Sequence, residues 1–271
     1  MAKPPPRLFV MDPLAQGVRF PLSKDQAHYL RGVLRLRPPA PVLLFNGRDG
    51  EWRSELFEAD DPKGRGATVI VRERARPQAV GPDLTLLFAP LKKGPTDLVI
   101  RMGTELGVRR FVPVLTERTQ AERVKTDRLA LIAIEAAEQC ERLDVPEVAA
   151  PVRLAEALDA AGPVMFCDEA GAAPGGAWGR EALPRVAESL SRAAPGAWSV
   201  LTGPEGGFSP AEREALRARR DTHAVTLGPR ILKAETAALA AVALWQAALG
   251  DLSGPDPDAS QGCHESVAPG V

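Results

Sequence analysis

From Leu84 to Leu249 the chain alternates short apolar runs with helical patterns, and this alternation restricts its fold more than any other feature. Leu84 to Ala89, Phe111 to Leu115, Val164 to Asp168, Trp198 to Thr202 and Ala224 to Leu227 are apolar runs of strand length. Thr96 to Leu106, Asp127 to Arg142, Glu181 to Ala194, a segment opening at Pro210 and Glu235 to Leu249 read as helices, with Gly107 in a C-cap position. Ala173 to Gly179 reads as a flexible loop. Strands that alternate with helices build a parallel sheet covered by helices. In such sheets ligands sit beyond the carboxyl ends of the strands.

Leu201-Thr202-Gly203-Pro204-Glu205-Gly206-Gly207-Phe208-Ser209 falls at such an end. Its glycines allow positive φ and let backbone N–H groups approach a ligand without a Cβ in the way. Successive free N–H groups make a concavity suited to polar or anionic atoms. Ser209-Pro210 gives the next helix a cap and a first-turn proline. The spacing is neither that of a P-loop nor that of a dinucleotide fingerprint. By itself it indicates a ligand loop of unknown ligand, or else a tight turn that is merely rich in glycine. Leu227 to Thr236 is the second informative stretch. It leaves a strand through Gly228-Pro229 and enters an alanine-rich helix with Glu235 and Thr236 in its first turn. A plain capped helix start is the alternative there.

Before residue 76 the pattern differs. Arg7 to Val10, Val42 to Phe45, Trp52 to Phe57 and Ala67 to Val71 read as short strands, with a hairpin signal at Asn46-Gly47. Lys24 to Leu36 is the one helix candidate. A small β-barrel fits, and such barrels often bind oligonucleotides. Arg31 and Arg35, spaced to share a helix face, would form with His28 a strip for phosphate, or an ordinary solvated face. The proline and glycine of residues 77–82 mark a linker. The chain thus divides into 1–76, 83–250 and a polar, disordered tail, 251–271.

The 34 basic and 35 acidic residues leave a net charge of −1, so RNA affinity would need a local basic patch. Three scattered cysteines, Cys140, Cys167 and Cys263, argue against a disulfide framework and for a reducing cytoplasm. Three histidines and no Cys-x-x-Cys argue against a metal site. Neither a signal peptide nor a membrane-length apolar run is present in the sequence.

Four groups of motifs, in order, resemble one family. They are His28-Tyr29-Leu30 with Val33-Leu34-Arg35; Glu105-Leu106-Gly107-Val108 with Glu117-Arg118; Glu138-Gln139-Cys140 with Arg142 and Val145-Pro146-Glu147; and Gly203–Gly207 with Leu227–Thr236. The family is the bacterial 16S rRNA uridine-N3 methyltransferases of the SPOUT superfamily, and the likeness covers residues 7 to about 249. It implies a PUA-like β-barrel that helps hold RNA, followed by a SPOUT α/β domain with a deep trefoil knot. It implies S-adenosylmethionine as cofactor, 16S rRNA of the assembled small subunit as substrate, and a homodimer.

Carried onto this chain, the resemblance makes three loops the cofactor site. Leu115 ends the first; Thr202, Gly203, Glu205, Gly206 and Gly207 form the second; Leu227, Gly228, Ile231 and Leu232 form the third, followed by Glu235 and Thr236. N3 of uracil must lose a proton to attack the methyl group. A cation would stabilise the developing anion. Arg118 is the candidate, with Lys233 or Arg230 sharing the role. Glu205 or Glu235 could accept the proton, the alternative work of Glu205 being cofactor binding. Arg7, His28, Arg31, Arg35 and Arg142 would contact RNA. The chain departs from the family pattern at Arg101-Met102-Gly103, at Lys233-Ala234, at Pro39-Ala40 and at Tyr29. The alternative is therefore a paralogue that methylates another RNA, or a catalytically weak RNA-binding or assembly protein on the same scaffold.

Overall fold

The computed structural model describes residues 4–59, 66–120, 123–168 and 183–253. In chain order these form β1 (Arg7–Phe9), β2 (Arg19–Pro21), α1 (Lys24–His28), β3 (Ala40–Phe45), β4 (Glu51–Glu58), β5 (Ala67–Arg76), β6 (Leu84–Phe88), α2 (Lys93–Glu105), β7 (Arg110–Leu115) and α3 (Thr126–Gln139). There follow β8 (Glu147–Val148), β9 (Val152–Arg153), α4 (Leu154–Ala160), β10 (Val164–Cys167), α5 (Val186–Leu190), β11 (Trp198–Thr202), α6 (Pro210–Ala218), β12 (Thr222–Val225) and α7 (Ala234–Leu249). The Ala173–Gly179 loop, the first residues of the expected Glu181–Ala194 helix, and the tail with Cys263 lie outside the described residues.

Two compact units result. The first takes the residues up to Gly81 together with Ile100–Glu105 and Lys125–Ala149; the second takes Pro82–Val99, Leu106–Val124 and the chain from Ala150. The division expected from sequence, 1–76 against 83–250, leaves those two inserted stretches on the other side. Their assignment follows from packing that no local pattern encodes.

In the first unit a five-stranded sheet runs in the order β1-β3-β4-β5-β2. Only the β1–β3 pair is parallel. Leu8, Leu30, Val42, Leu44, Leu56 and Val69 fill its core. The β3–β4 turn is organised by Asn46, whose side-chain oxygen accepts from the N–H groups of Arg48 and Asp49. Gly50 (φ +83°) is obligatory, because a Cβ there would lie 2.3 Å from the Arg76 carbonyl oxygen.

The expected helix Lys24–Leu36 stops early. After α1 the backbone widens into a π-type turn over Tyr29–Val33, closed by Leu34 N–H to the Tyr29 carbonyl, and Arg35 takes φ +56°. Arg31 and Arg35 therefore do not share a helix face.

Arg7 is the polar hub of this unit. Its side chain is 7% exposed and ion-pairs with Glu51 at 2.7 Å. It also donates to the carbonyls of Ala137, Glu138 and Arg142, tying β1 to the end of α3. Burial pushes the Glu51 carboxyl up, but hydrogen bonds and charge from Arg76 and Arg7 outweigh this and hold it below the ordinary carboxylate range. Glu138 has no such pairing. Burial, aided by Glu135, pushes it up to about 7, against a hydrogen bond from the Phe9 N–H and the charge of Arg7.

In the second unit the strands run β12-β10-β11-β6-β7, with β9 beside β7, all parallel. Every residue of β10 and β11 is buried, as expected of parallel strands covered on both faces. Phe88 and Phe111 meet edge-on at 6.4 Å within this core. The C-cap expected at Gly107 has φ +84°. A Cβ there would meet Gln246 Nε2 of α7, which donates to the Leu106 carbonyl.

The raised Glu138 pKa has a definite sign. The folded state binds a proton more tightly than the unfolded chain, so this group's stabilisation is complete below about 4.5 and is lost as pH rises through about 7. Glu138→Gln keeps an acceptor for the Phe9 N–H without the charge. It should match the parent near pH 5 and exceed it at pH 8 by up to about 2 kcal/mol, discounted for partial solvent access, in denaturant titrations at the two pH values.

Candidate active site

The carboxyl ends of β10, β11 and β12 open into a cavity of about 450 Å³. Cys167 and Asp168 line it from β10, and Thr202, Gly203, Pro204, Glu205 and Gly207 from the loop after β11. Thr226, Leu227, Gly228 and the run from Arg230 to Glu235 contribute from the segment after β12. Pro95 of α2 and Ala237 of α7 complete the wall.

The first loop is shaped by packing and by hydrogen bonds. Phe208 is 2% exposed and meets Phe166 edge-on at 5.1 Å. Its ring lies against Gly203, where a Cβ would come within 2.7 Å. Gly207 (φ +66°) donates its N–H to the Pro204 carbonyl, closing the turn. Ser209 then caps α6 in a reciprocal pair with Glu212. In the second loop Thr226 Oγ1 accepts from the Gly228 N–H, and Gly228 has φ +110°.

Arg118 reaches the first loop from outside the cavity wall. It sits in a turn after β7 and donates through Nη1 to the Gly206 carbonyl at 2.9 Å. Asp168, whose side chain is fully buried, is ion-paired to Arg213 at 3.0 Å and to Arg217, both on α6. Among the described residues no group of three His, Cys, Asp or Glu is arranged to hold a metal ion. Among them, no helix is long and apolar enough to cross a membrane.

Glycine loops at the ends of buried parallel strands, with basic side chains beside them, are the arrangement implied by the motif order. The model of an RNA methyltransferase domain matches residues 79–246, and that of an RNA methyltransferase PUA domain matches residues 22–64. A ribosomal RNA small subunit methyltransferase E from Rickettsia conorii is 32% identical over 238 residues, covering 88% of this chain and 93% of that protein. The chain belongs to the ribosomal RNA small subunit methyltransferase E family. Its solved relatives include the Neisseria gonorrhoeae methyltransferase E bound to S-adenosyl methionine, at 28% identity and TM-score 0.76, covering 91% of this chain and 99% of that one. A Legionella pneumophila protein in complex with the cofactor SAM is 25% identical with TM-score 0.77, covering 92% of this chain and 100% of that one. An α/β parallel sheet preceded by a PUA-like unit is thus the fold of this family member.

In this methyltransferase-family chain the cavity gathers most of the residues named from sequence. Thr202, Gly203, Glu205, Gly207, Leu227, Gly228, Arg230, Ile231, Leu232, Lys233 and Glu235 all line it. Leu115, Gly206 and Thr236 are not on its wall; Leu115 is 40% exposed at the end of β7, and Gly206 faces Arg118. Sequence reasoning missed Pro95, Cys167, Asp168, Thr226 and Ala237. The signal that could have found Asp168 was its place at the carboxyl end of the Val164 to Asp168 run, where ligands of such sheets sit.

Of the RNA candidates in the first unit, two need correction. Arg7 is buried and spends its guanidinium on Glu51 and three carbonyls. Arg142 is 13% exposed and engages Asp144 and the Thr104 carbonyl. Both hold backbone in place, because buried carbonyls require donors. His28 and Arg35 are exposed, and Arg31 is half-buried against Glu58 and the Gly66 carbonyl.

Gly203 and Gly206 of the loop should behave differently. Gly203→Ala drives a methyl into the Phe208 ring and should cost about 1–3 kcal/mol. Gly206→Ala, whose Cβ would sit 3.5 Å from the Arg118 side chain, should stay within about 0.5 kcal/mol of the parent. Urea denaturation of both variants checks this.

Proposed function

We propose that this chain transfers a methyl group from S-adenosylmethionine to N3 of a specific uridine in 16S rRNA of the assembled small subunit. The observation that carries this reading is the cavity between the Thr202–Gly207 and Leu227–Leu232 loops, with Arg230 and Lys233 on its wall and Arg118 bonded to the first loop. The SAM-bound relatives support the choice of cofactor.

The wall suits that cofactor. About 450 Å³ lies in the range of small-molecule pockets. Leu227, Ile231 and Leu232 offer apolar surface to a flat base, and Glu205 and Glu235 offer negative charge to a cationic ligand. When bound, the cofactor supplies an electrophilic methyl carried on a sulfonium.

The residues of the chain then have distinct roles. The glycine loops orient the reactants, and alignment of nucleophile and methyl accounts for much of the rate. Arg118, with Arg230 and Lys233, stabilises negative charge on the uracil as N3 gives up its proton. Asp168 is engaged by Arg213 and Arg217, so the carboxylates left to accept that proton are Glu205 and Glu235. His28, Arg31 and Arg35 on the PUA-like unit supply phosphate contacts. The trefoil knot, the homodimer and a cytoplasmic location belong to the same reading, as does chemistry without a metal ion.

Incubation with S-adenosylmethionine and small subunits lacking their native methylations, followed by nucleoside mass spectrometry, tests it. The expected product is 3-methyluridine. Its absence, with S-adenosylhomocysteine still bound, would move the substrate to another RNA. Arg118→Ala should lower kcat by about 10²–10³-fold in the same assay; full turnover would remove Arg118 from the chemistry.

A further inference from the structure

Glu212 lies in the first turn of α6 and touches two loops at once. Its Oε2 accepts from the Ser209 N–H at 2.9 Å, at the end of the glycine loop. Its Oε1 accepts from the Glu117 N–H at 2.8 Å, in the turn after β7. That turn is closed on itself by Thr116 and Thr119, through Thr116 N–H to Thr119 Oγ1 at 2.9 Å and Thr119 N–H to the Thr116 carbonyl at 3.1 Å. Arg118, the residue after Glu117, returns to the glycine loop at the Gly206 carbonyl. The two loops are therefore joined at two points, one anionic and one cationic. At the same time Arg213 and Arg217 of α6 hold the buried Asp168 at the end of β10. One helix thus connects the end of β10, the glycine loop and the Arg118 turn.

We propose that Glu212 is a positioning residue for the methyl-transfer site, its carboxylate bracing the Arg118 turn against the Gly203–Gly207 loop; this rests on the cofactor reading of the cavity. A capping box needs only the Ser209–Glu212 exchange. The bond to Glu117 is additional, and it lies on the oxygen that the cap leaves over. Two N–H donors on two oxygens require a carboxylate, since an amide has one acceptor oxygen. Hydrogen bonds to a charged acceptor are also the stronger kind. The consequence is that the cation and the loop it serves move as one piece, so their geometry is set before any ligand arrives.

Glu212→Gln, which keeps size and one acceptor, is the informative variant. Ser209→Ala is its control, because it loses the other half of the cap and leaves the Glu117 bond intact. Hydrogen exchange on the ligand-free proteins should show the Glu117, Gly207 and Ser209 amides exchanging about tenfold faster in Glu212→Gln. In Ser209→Ala the faster exchange should stay within the first turn of α6. By calorimetry, S-adenosylhomocysteine should bind Glu212→Gln about tenfold more weakly than the parent, and Ser209→Ala less than threefold more weakly. The double variant Arg118→Ala/Glu212→Gln should be no weaker than the worse single variant, since both bonds hold the same pair of loops. Unchanged protection at Glu117, equal affinity of Glu212→Gln and Ser209→Ala, or additive losses in the double variant would overturn the proposal. The expected exchange pattern in a parent protein that does not bind S-adenosylhomocysteine would instead remove the cofactor reading and leave the brace standing.

Discussion

The second unit depends on parallel strands buried on both faces. β10 and β11 expose nothing along their length, so polar chemistry emerges only where the strands end. There the backbone must turn, satisfy its own N–H and C=O groups, and still leave room for a ligand. The loop after β11 does so with Gly207 donating to Pro204, Arg118 donating to Gly206, and Glu212 receiving Ser209. The glycines serve different ends. Gly203 makes room for the buried Phe208 ring, Gly207 takes a left-handed conformation, and Gly206 lies beside Arg118.

In the first unit the comparable constraint is a single buried cation. Arg7 donates to carbonyls more than a hundred positions away, and the unit takes in Lys125–Ala149. Removing one member of such a buried pair leaves a charge without a partner, which costs about 3–5 kcal/mol. Two carboxylates near this hub behave oppositely for that reason. Glu51 faces two guanidinium groups and is held ionised, whereas burial dominates at Glu138 and favours its neutral form. A tally of basic residues in this stretch overstates the surface available to RNA, because Arg7 and Arg142 are consumed by the fold.

Much of the fold was legible in the sequence because strand and helix periodicities are local. The longer strands of both sheets, the cap at Gly107 and the helix that ends the described α/β unit appear near where the patterns put them. β2, β8 and β9 went unseen, being only two or three residues long and too short to carry a period. The helix expected over Lys24–Leu36 failed at a π-type turn, where Leu34 bonds back to Tyr29 and Arg35 turns left-handed. Most of the cavity wall was legible because its residues sit in two contiguous stretches. Pro95 and Asp168 were not, since they join the wall from a helix start and from another strand end, and Thr226 lies one residue before the second stretch.

The sequence by itself determined the class of fold, the two glycine-containing loops and the order of motifs that marks the family. These depend on the period of apolar residues and on backbone freedom at particular glycines, both of which are properties of neighbours in the chain. The tertiary structure alone decided which charged groups would be spent. It turned Arg7 and Arg142 inward, gave Asp168 to Arg213 and Arg217, and set Glu212 between Ser209 and Glu117. Periodicity specifies that a face is buried, but the partner of a buried polar group is chosen by whichever distant backbone or side chain the packing brings within hydrogen-bond reach.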